Sequence, residues 1–199
     1  MTTTFRLMAG ALIVGLSATL TACTTAEAPD PSAPAVDTAV PAPAFQSAVL
    51  RDLLKDWEAQ KDTMMKIADA MPEDKFGYKS TPPQRSYGEQ IMHAALITVD
   101  LLKVLGGKAA APTFTAESAT TKADILKALA ESYDYGTALL NEQTEATISQ
   151  PLQDAPSWLG PSTRARVIWT LLVHSMDIYG QMAVYLRLNG IVPPASRGV

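Results

Sequence analysis

Four segments of this chain place apolar residues at alternating spacings of three and four, and that period leaves little choice of fold. In the first, Leu50, Leu53, Trp57, Gln60, Met64, Ile67 and Met71 fall on one helical face. The spacing predicts a helix over residues 45–71, stopped by Pro72, which lacks a backbone N–H and clashes with the preceding turn. A second helix is expected from Ser86, because Ser86 and Glu89 have the form of a capping box. Ile91, Ala94, Ala95, Ile97, Leu101, Leu102 and Leu105 supply its apolar surface, and Gly106-Gly107 ends it. The third is expected over 121–141, with Thr121 and Asp124 at its start and Ile125, Leu129, Tyr133, Gly136 and Leu140 as its stripe. The fourth covers 163–189, where Val167, Leu171, His174, Ile178, Gln181, Tyr185 and Leu188 share one side and Asn189-Gly190 closes the helix. Arg164 and Arg166 in its first turn oppose the helix dipole and so need partners elsewhere.

No segment alternates in the manner of a strand. Four long amphipathic helices therefore predict an all-α four-helix bundle over residues 45–196, with 197–199 as a tail. The connections 72–85 and 106–120 are long enough for one or both to cross the bundle, and 143–162 is a third long connection in which Trp158-Leu159 is suited to cap an end.

The region before the bundle has another character. Residues 1–22 carry Arg6 and then a short apolar run from Leu7 to Leu20. That run falls short of the about 20 apolar residues that cross a bilayer and fits an export signal. Leu20-Thr21-Ala22-Cys23 resembles a bacterial lipobox, so Cys23, the chain's single cysteine, is the expected lipidation site. Acyl chains contribute about 0.8 kcal/mol per buried CH₂, and more than one chain makes a stable anchor. By resemblance to exported lipoproteins, Thr24 rather than Asp after the cysteine implies a periplasm-facing outer-membrane location in a cell with two membranes. Residues 24–44 follow as a spacer in which seven Ala and five Pro fill 12 of 21 positions, a composition that denies the backbone a helix and favours extended states.

Charge narrows the function classes. Sixteen Lys and Arg against 20 Asp and Glu give a net charge of −4, which argues against a nucleic-acid partner. One cysteine excludes an intramolecular disulfide and a cysteine-rich zinc site. No P-loop, Gly-x-Gly-x-x-Gly or Gly-x-Ser-x-Gly motif occurs. Lys79, Lys108 and Lys122 fall in loops or at a helix start, where a solvated lysine is the default. The two histidines, His93 and His174, both lie on predicted inward faces of different helices, so their imidazoles are placed to meet in the interior and bind a divalent transition metal. A third donor is expected from Asp177, three residues after His174, or from Glu89, four before His93. Gln60, Glu89, Ile178 and Gln181 are the candidate pocket residues.

Residues 71–95 and 171–196 together resemble the DinB-like superfamily. The match rests on Glu73-Asp74-Lys75-Phe76, Arg85-Ser86 and His93, then on His174, Gly180-Gln181, Tyr185-Leu186-Arg187 and Gly190. The resemblance implies a four-helix bundle with a crossover, a divalent metal held by three histidines, and in some members thiol-dependent transfer to small electrophiles. It also allows a homodimer. By position the family's first two histidines fall on His93 and His174, and the third falls on Ile178, which cannot ligate. The expected site is thus degenerate: either two imidazoles, with Asp177 as the substitute, hold Zn, Ni, Mn or Fe, or the site is a relic in which His93 and His174 are neutral core or pocket residues hydrogen-bonded to Gln, Tyr or backbone. A carboxylate there would favour the harder ions Mn and Fe. Metal-assisted transfer or hydrolysis is the first functional expectation. The other is a non-enzymatic envelope lipoprotein that binds a small ligand or a protein.

Overall fold

The computed structural model describes residues 46–198. The export signal 1–22, Cys23, the spacer 24–44 and Phe45 lie outside the described residues.

Four long helices form the bundle: α1 Gln46–Asp69, α2 Tyr87–Lys103, α3 Lys122–Asn141 and α5 Arg164–Leu188. A one-turn helix, α4 Glu145–Ile148, precedes α5. The starts of α2, α3 and α5 are chemically marked. Ser86 accepts from the Glu89 N–H, and the Glu89 carboxylate accepts from the Ser86 N–H at 2.6 Å. Thr121 and Asp124 make the same reciprocal cap on α3, and Thr163 caps α5. The α4 turn was not anticipated from periodicity, because four residues carry no period; its signal is the Thr144–Thr147 cap.

The main packing pairs are α2 with α3, α1 with α3, α2 with α5 and α1 with α5. That arrangement is a square in which α1 lies diagonal to α2, and α3 diagonal to α5. The connection after α1 and the one containing α4 therefore cross diagonals, whereas the connection from α2 to α3 joins neighbours. Of the two connections first expected to cross, 72–85 does so and 106–120 does not; 143–162 takes the second crossing.

The crossing segments are tied down by polar contacts, several of them half-buried. Arg164 donates to the carbonyls of Leu105 (3.0 Å) and Thr147 (3.2 Å), and Arg166 donates to Pro161 and Ser162. These are the partners that cations in a first helical turn require. Lys122 departs from the solvated default: its ammonium donates to the Asp69 and Met71 carbonyls and pairs with the Asp69 carboxylate at 2.8 Å, joining the start of α3 to the end of α1. Trp158 is exposed while Leu159 is buried, so only the leucine serves as an end cap.

The core runs from Trp57, Met64 and Ile67 on α1 through Ile91 and Leu102 on α2 to Leu129 on α3 and Leu171 on α5. Each such side chain contributes about 1.5–3 kcal/mol by leaving water. At its centre Trp57 donates to the Tyr133 carbonyl at 3.0 Å, and the Tyr133 hydroxyl donates to Ser175 at 2.9 Å, linking three helices. Gly136 permits this. A Cβ there would sit 2.1 Å from the Trp57 ring. Among the described residues no helix is long and apolar enough to cross a membrane.

Alanine normally stabilises a helix by about 1 kcal/mol relative to glycine. Gly136→Ala is expected to do the opposite, lowering stability by about 1–3 kcal/mol because the rigid Trp57 ring must move. Chemical denaturation reads the sign directly, and a more stable variant would refute the close approach.

Candidate functional site

Three cross-helix contacts set the site. The Tyr185 hydroxyl on α5 donates to the Arg85 carbonyl at 2.8 Å, just before α2 begins. The Gln90 amide donates to the Gln181 carbonyl oxygen at 2.7 Å. His93 faces His174, with ring centroids 5.4 Å apart and planes at 83°. Partner numbers on α5 fall as those on α2 rise, so the two helices run antiparallel and the imidazoles meet one level away from the glutamines.

Both rings are partly buried. His174 Nε2 and Gln90 Oε1 are buried with no hydrogen-bond partner among the described residues. Burial pushes the pKa of His93 down, and the positive charges of Arg85 and a protonated His174 push it further. Burial also lowers His174; the Asp177 carboxylate opposes this and Arg85 adds to it. Both imidazoles are therefore neutral at pH 7, the form that has a free lone pair.

The other expected site residues divide. Ile178 is 1% exposed and lies between His174 and Gln181 along α5. Gln181 is central, since it accepts from Gln90 and donates to Asp177 at 2.9 Å. Asp177 is exposed, and its carboxylate is engaged by Gln181. Glu89 is also exposed and is occupied by the Ser86 cap and by Lys79 at 3.3 Å. These contacts, with the Lys79 ammonium, hold its carboxyl below the usual range. Among the described residues no three His, Cys, Asp or Glu side chains gather as a metal-ligand set. Gln60 is buried with an unpartnered amide nitrogen, but it lines a groove between α1 and α5 beside Trp169, away from the histidines. Gln90 was not singled out from sequence. Its signal was available: it lies three residues before His93 on the same face, as a second amide able to meet Gln181.

A cleft of about 490 Å³ opens beside His93. Its lining includes the charged residues Lys79, Arg85 and Glu89 and the apolar residues Met92, Leu96 and Ile125. Gly88 also lines it, where a Cβ would come within 3.2 Å of Ile125 and Phe76.

The lowered histidine pKa values carry a pH signature. Below about pH 6.5 the unfolded chain takes up protons that the folded histidines refuse, so stability falls as pH falls. Thermal unfolding is expected at a lower temperature at about pH 5.5 than at about pH 7.5, with a smaller drop when both histidines are replaced by glutamine. Equal drops in the two proteins would contradict the assigned burial.

A sequence profile of the DinB superfamily matches residues 56–182. No curated protein sequence matches the chain. Among solved structures, a DinB-like protein from Bacillus cereus superposes with a TM-score of 0.58 at 19% identity, over 72% of this chain and 95% of that one. A DinB-like protein from Bacillus subtilis gives a TM-score of 0.55 at 15% identity, over 70% of this chain and 92% of that one. At these identities the likeness is one of fold. The profile match spans more than half of the chain, and with the bundle described above it places this protein in the DinB superfamily.

Proposed function

We propose that this protein is an exported, lipid-anchored DinB-like domain whose bundle holds a degenerate two-imidazole site for a divalent transition metal. The observation that carries the reading is the facing pair His93 and His174, with His174 Nε2 buried and without a hydrogen-bond partner among the described residues. A buried nitrogen that makes no hydrogen bond is costly unless something else uses its lone pair. The donor chemistry fits such an ion: two neutral imidazoles are ligands for Zn or Ni. Mn and Fe fit less well than the sequence alone implied, because the Asp177 carboxylate faces solvent and is engaged by Gln181. When bound, the ion would supply Lewis acidity toward a water or thiol, the chemistry of metal-assisted transfer or hydrolysis. The chain's own contribution is to hold the rings in register through Gln90–Gln181 and Tyr185–Arg85, and to set the apolar Ile178 between His174 and Gln181 along α5.

One observation favours a second reading, a metal-free ligand pocket in a non-enzymatic lipoprotein. The family's third histidine position is occupied by the buried Ile178.

Calorimetric titration with Zn²⁺ or Ni²⁺ separates the two. One ion per chain is expected, lost in His93→Ala and in His174→Ala. Ile178→His adds an imidazole one turn from His174 and is expected to tighten binding by about tenfold or more, since each 1.4 kcal/mol is a factor of ten. No binding by the parent chain, or unchanged affinity in Ile178→His, would overturn the metal reading.

The anchor has its own check. Cys23→Ser is expected to abolish incorporation of labelled palmitate and to release the protein from membranes. Labelling that survives in this variant would refute lipidation at Cys23.

A further inference from the structure

The cleft beside His93 has a charge that its own residues leave uncompensated. Lys79 pairs with Glu89, and Glu89 also closes the Ser86 cap. Arg85 contributes its carbonyl to Tyr185, which fixes its backbone, but its guanidinium has no hydrogen-bond or ion-pair partner among the described residues. With neutral histidines, the lining of the cleft therefore carries one net positive charge, from Lys79, Arg85 and Glu89 together. The chain as a whole is at −4, so this is a local reversal of sign.

The neighbouring helix end does not offer a competing anion site. The Ser86, Tyr87, Gly88 and Glu89 N–H groups are taken by Glu89, the Tyr78 carbonyl, the Phe76 carbonyl and the Ser86 hydroxyl. Of the two cations that line the cleft, Lys79 already has a carboxylate partner in Glu89, so the Arg85 fork, which matches a carboxylate with two parallel hydrogen bonds, is the better placed for an anion. Met92, Leu96 and Ile125 give the same cleft a hydrocarbon lining, and a Cβ at Gly88 would come within 3.2 Å of Ile125. The volume of about 490 Å³ lies in the range of small-molecule sites.

We propose that this cleft binds a small organic carboxylate, its acid group on Arg85 and its apolar body along Met92, Leu96 and Ile125, with one end beside His93. The inference concerns the cleft and is independent of the ion: it requires a ligand site at His93 and no metal. It names the chemical class that either reading of the paired histidines would receive.

The test uses the full-length chain in lipid nanodiscs with chelator present. Hexanoate, hexanol and hexylammonium are titrated while the ring-proton NMR signals of the two histidines are followed. Hexanoate is expected to shift the His93 signals saturably, and hexanol and hexylammonium to bind at least tenfold more weakly. Arg85→Met keeps the backbone carbonyl that Tyr185 needs; because the Arg85 charge lowers both histidine pKa values, parent and variant are compared at about pH 8, where both rings are neutral in either protein. The variant's hexanoate affinity is expected to fall about tenfold or more, the scale of a charge-assisted contact, with Arg85→Lys intermediate. The proposal is overturned if hexanoate gives no saturable shift, if hexanol binds equally well, or if Arg85→Met binds hexanoate like the parent. Because chelator is present throughout, none of these outcomes bears on metal binding by the imidazole pair.

Discussion

The antiparallel register of α2 against α5 is the constraint on which the site depends. Three contacts define it: Arg85 with Tyr185, Gln90 with Gln181, and His93 with His174. A shift of either helix by one residue turns its inward side chains by about 100° and would part all three pairs. Both hydrogen bonds are half-buried, so breaking them costs about 0.5–1.5 kcal/mol each, and more where the Gln90 and Tyr185 polar atoms would be left away from water. Polar contacts thus specify the alignment that the apolar core by itself leaves less determined. The core in turn holds the helices at the needed distance, through the Trp57–Tyr133–Ser175 chain and the close approach at Gly136.

That register explains why the histidines are neutral and why one nitrogen is orphaned. Desolvation outweighs the help that Asp177 gives to His174, because the carboxylate stands in solvent and is partly spent on Gln181. Arg85 adds to the penalty from outside the ring pair. The same guanidinium that disfavours a charged imidazole is left to face the cleft. One residue therefore links the electrostatics of the interior to the character of the surface beside it.

Much of the fold was legible because long helices repeat their pattern several times. The stripes on α1, α2, α3 and α5, the caps at Ser86 and Thr121, and the inward faces of His93 and His174 all follow from spacing. Position along a helix also accounts for Asp177. Four residues carry Ile178 about 40° from His174, seven carry Gln181 about 20° back, and three leave Asp177 about 60° to one side, toward solvent. The i, i+3 relation places it near His174 without placing it inside. What spacing did not convey was pairing between distant segments. Lys122 reads as a solvated lysine until the end of α1 is brought beside it. Gln60 reads as a site residue until the bundle order places it beside Trp169 instead. The order of helices around the square, and hence which connection crosses, is a property of the whole core.

The meeting of the two imidazoles can be observed without any ion or ligand. The chain has only two histidines, so replacing either one assigns the ring signals of the other. With ring centroids 5.4 Å apart, a nuclear Overhauser cross-peak between His93 and His174 ring protons is expected in the full-length chain. Assigned ring signals with no such cross-peak would contradict the α2–α5 register on which the account rests.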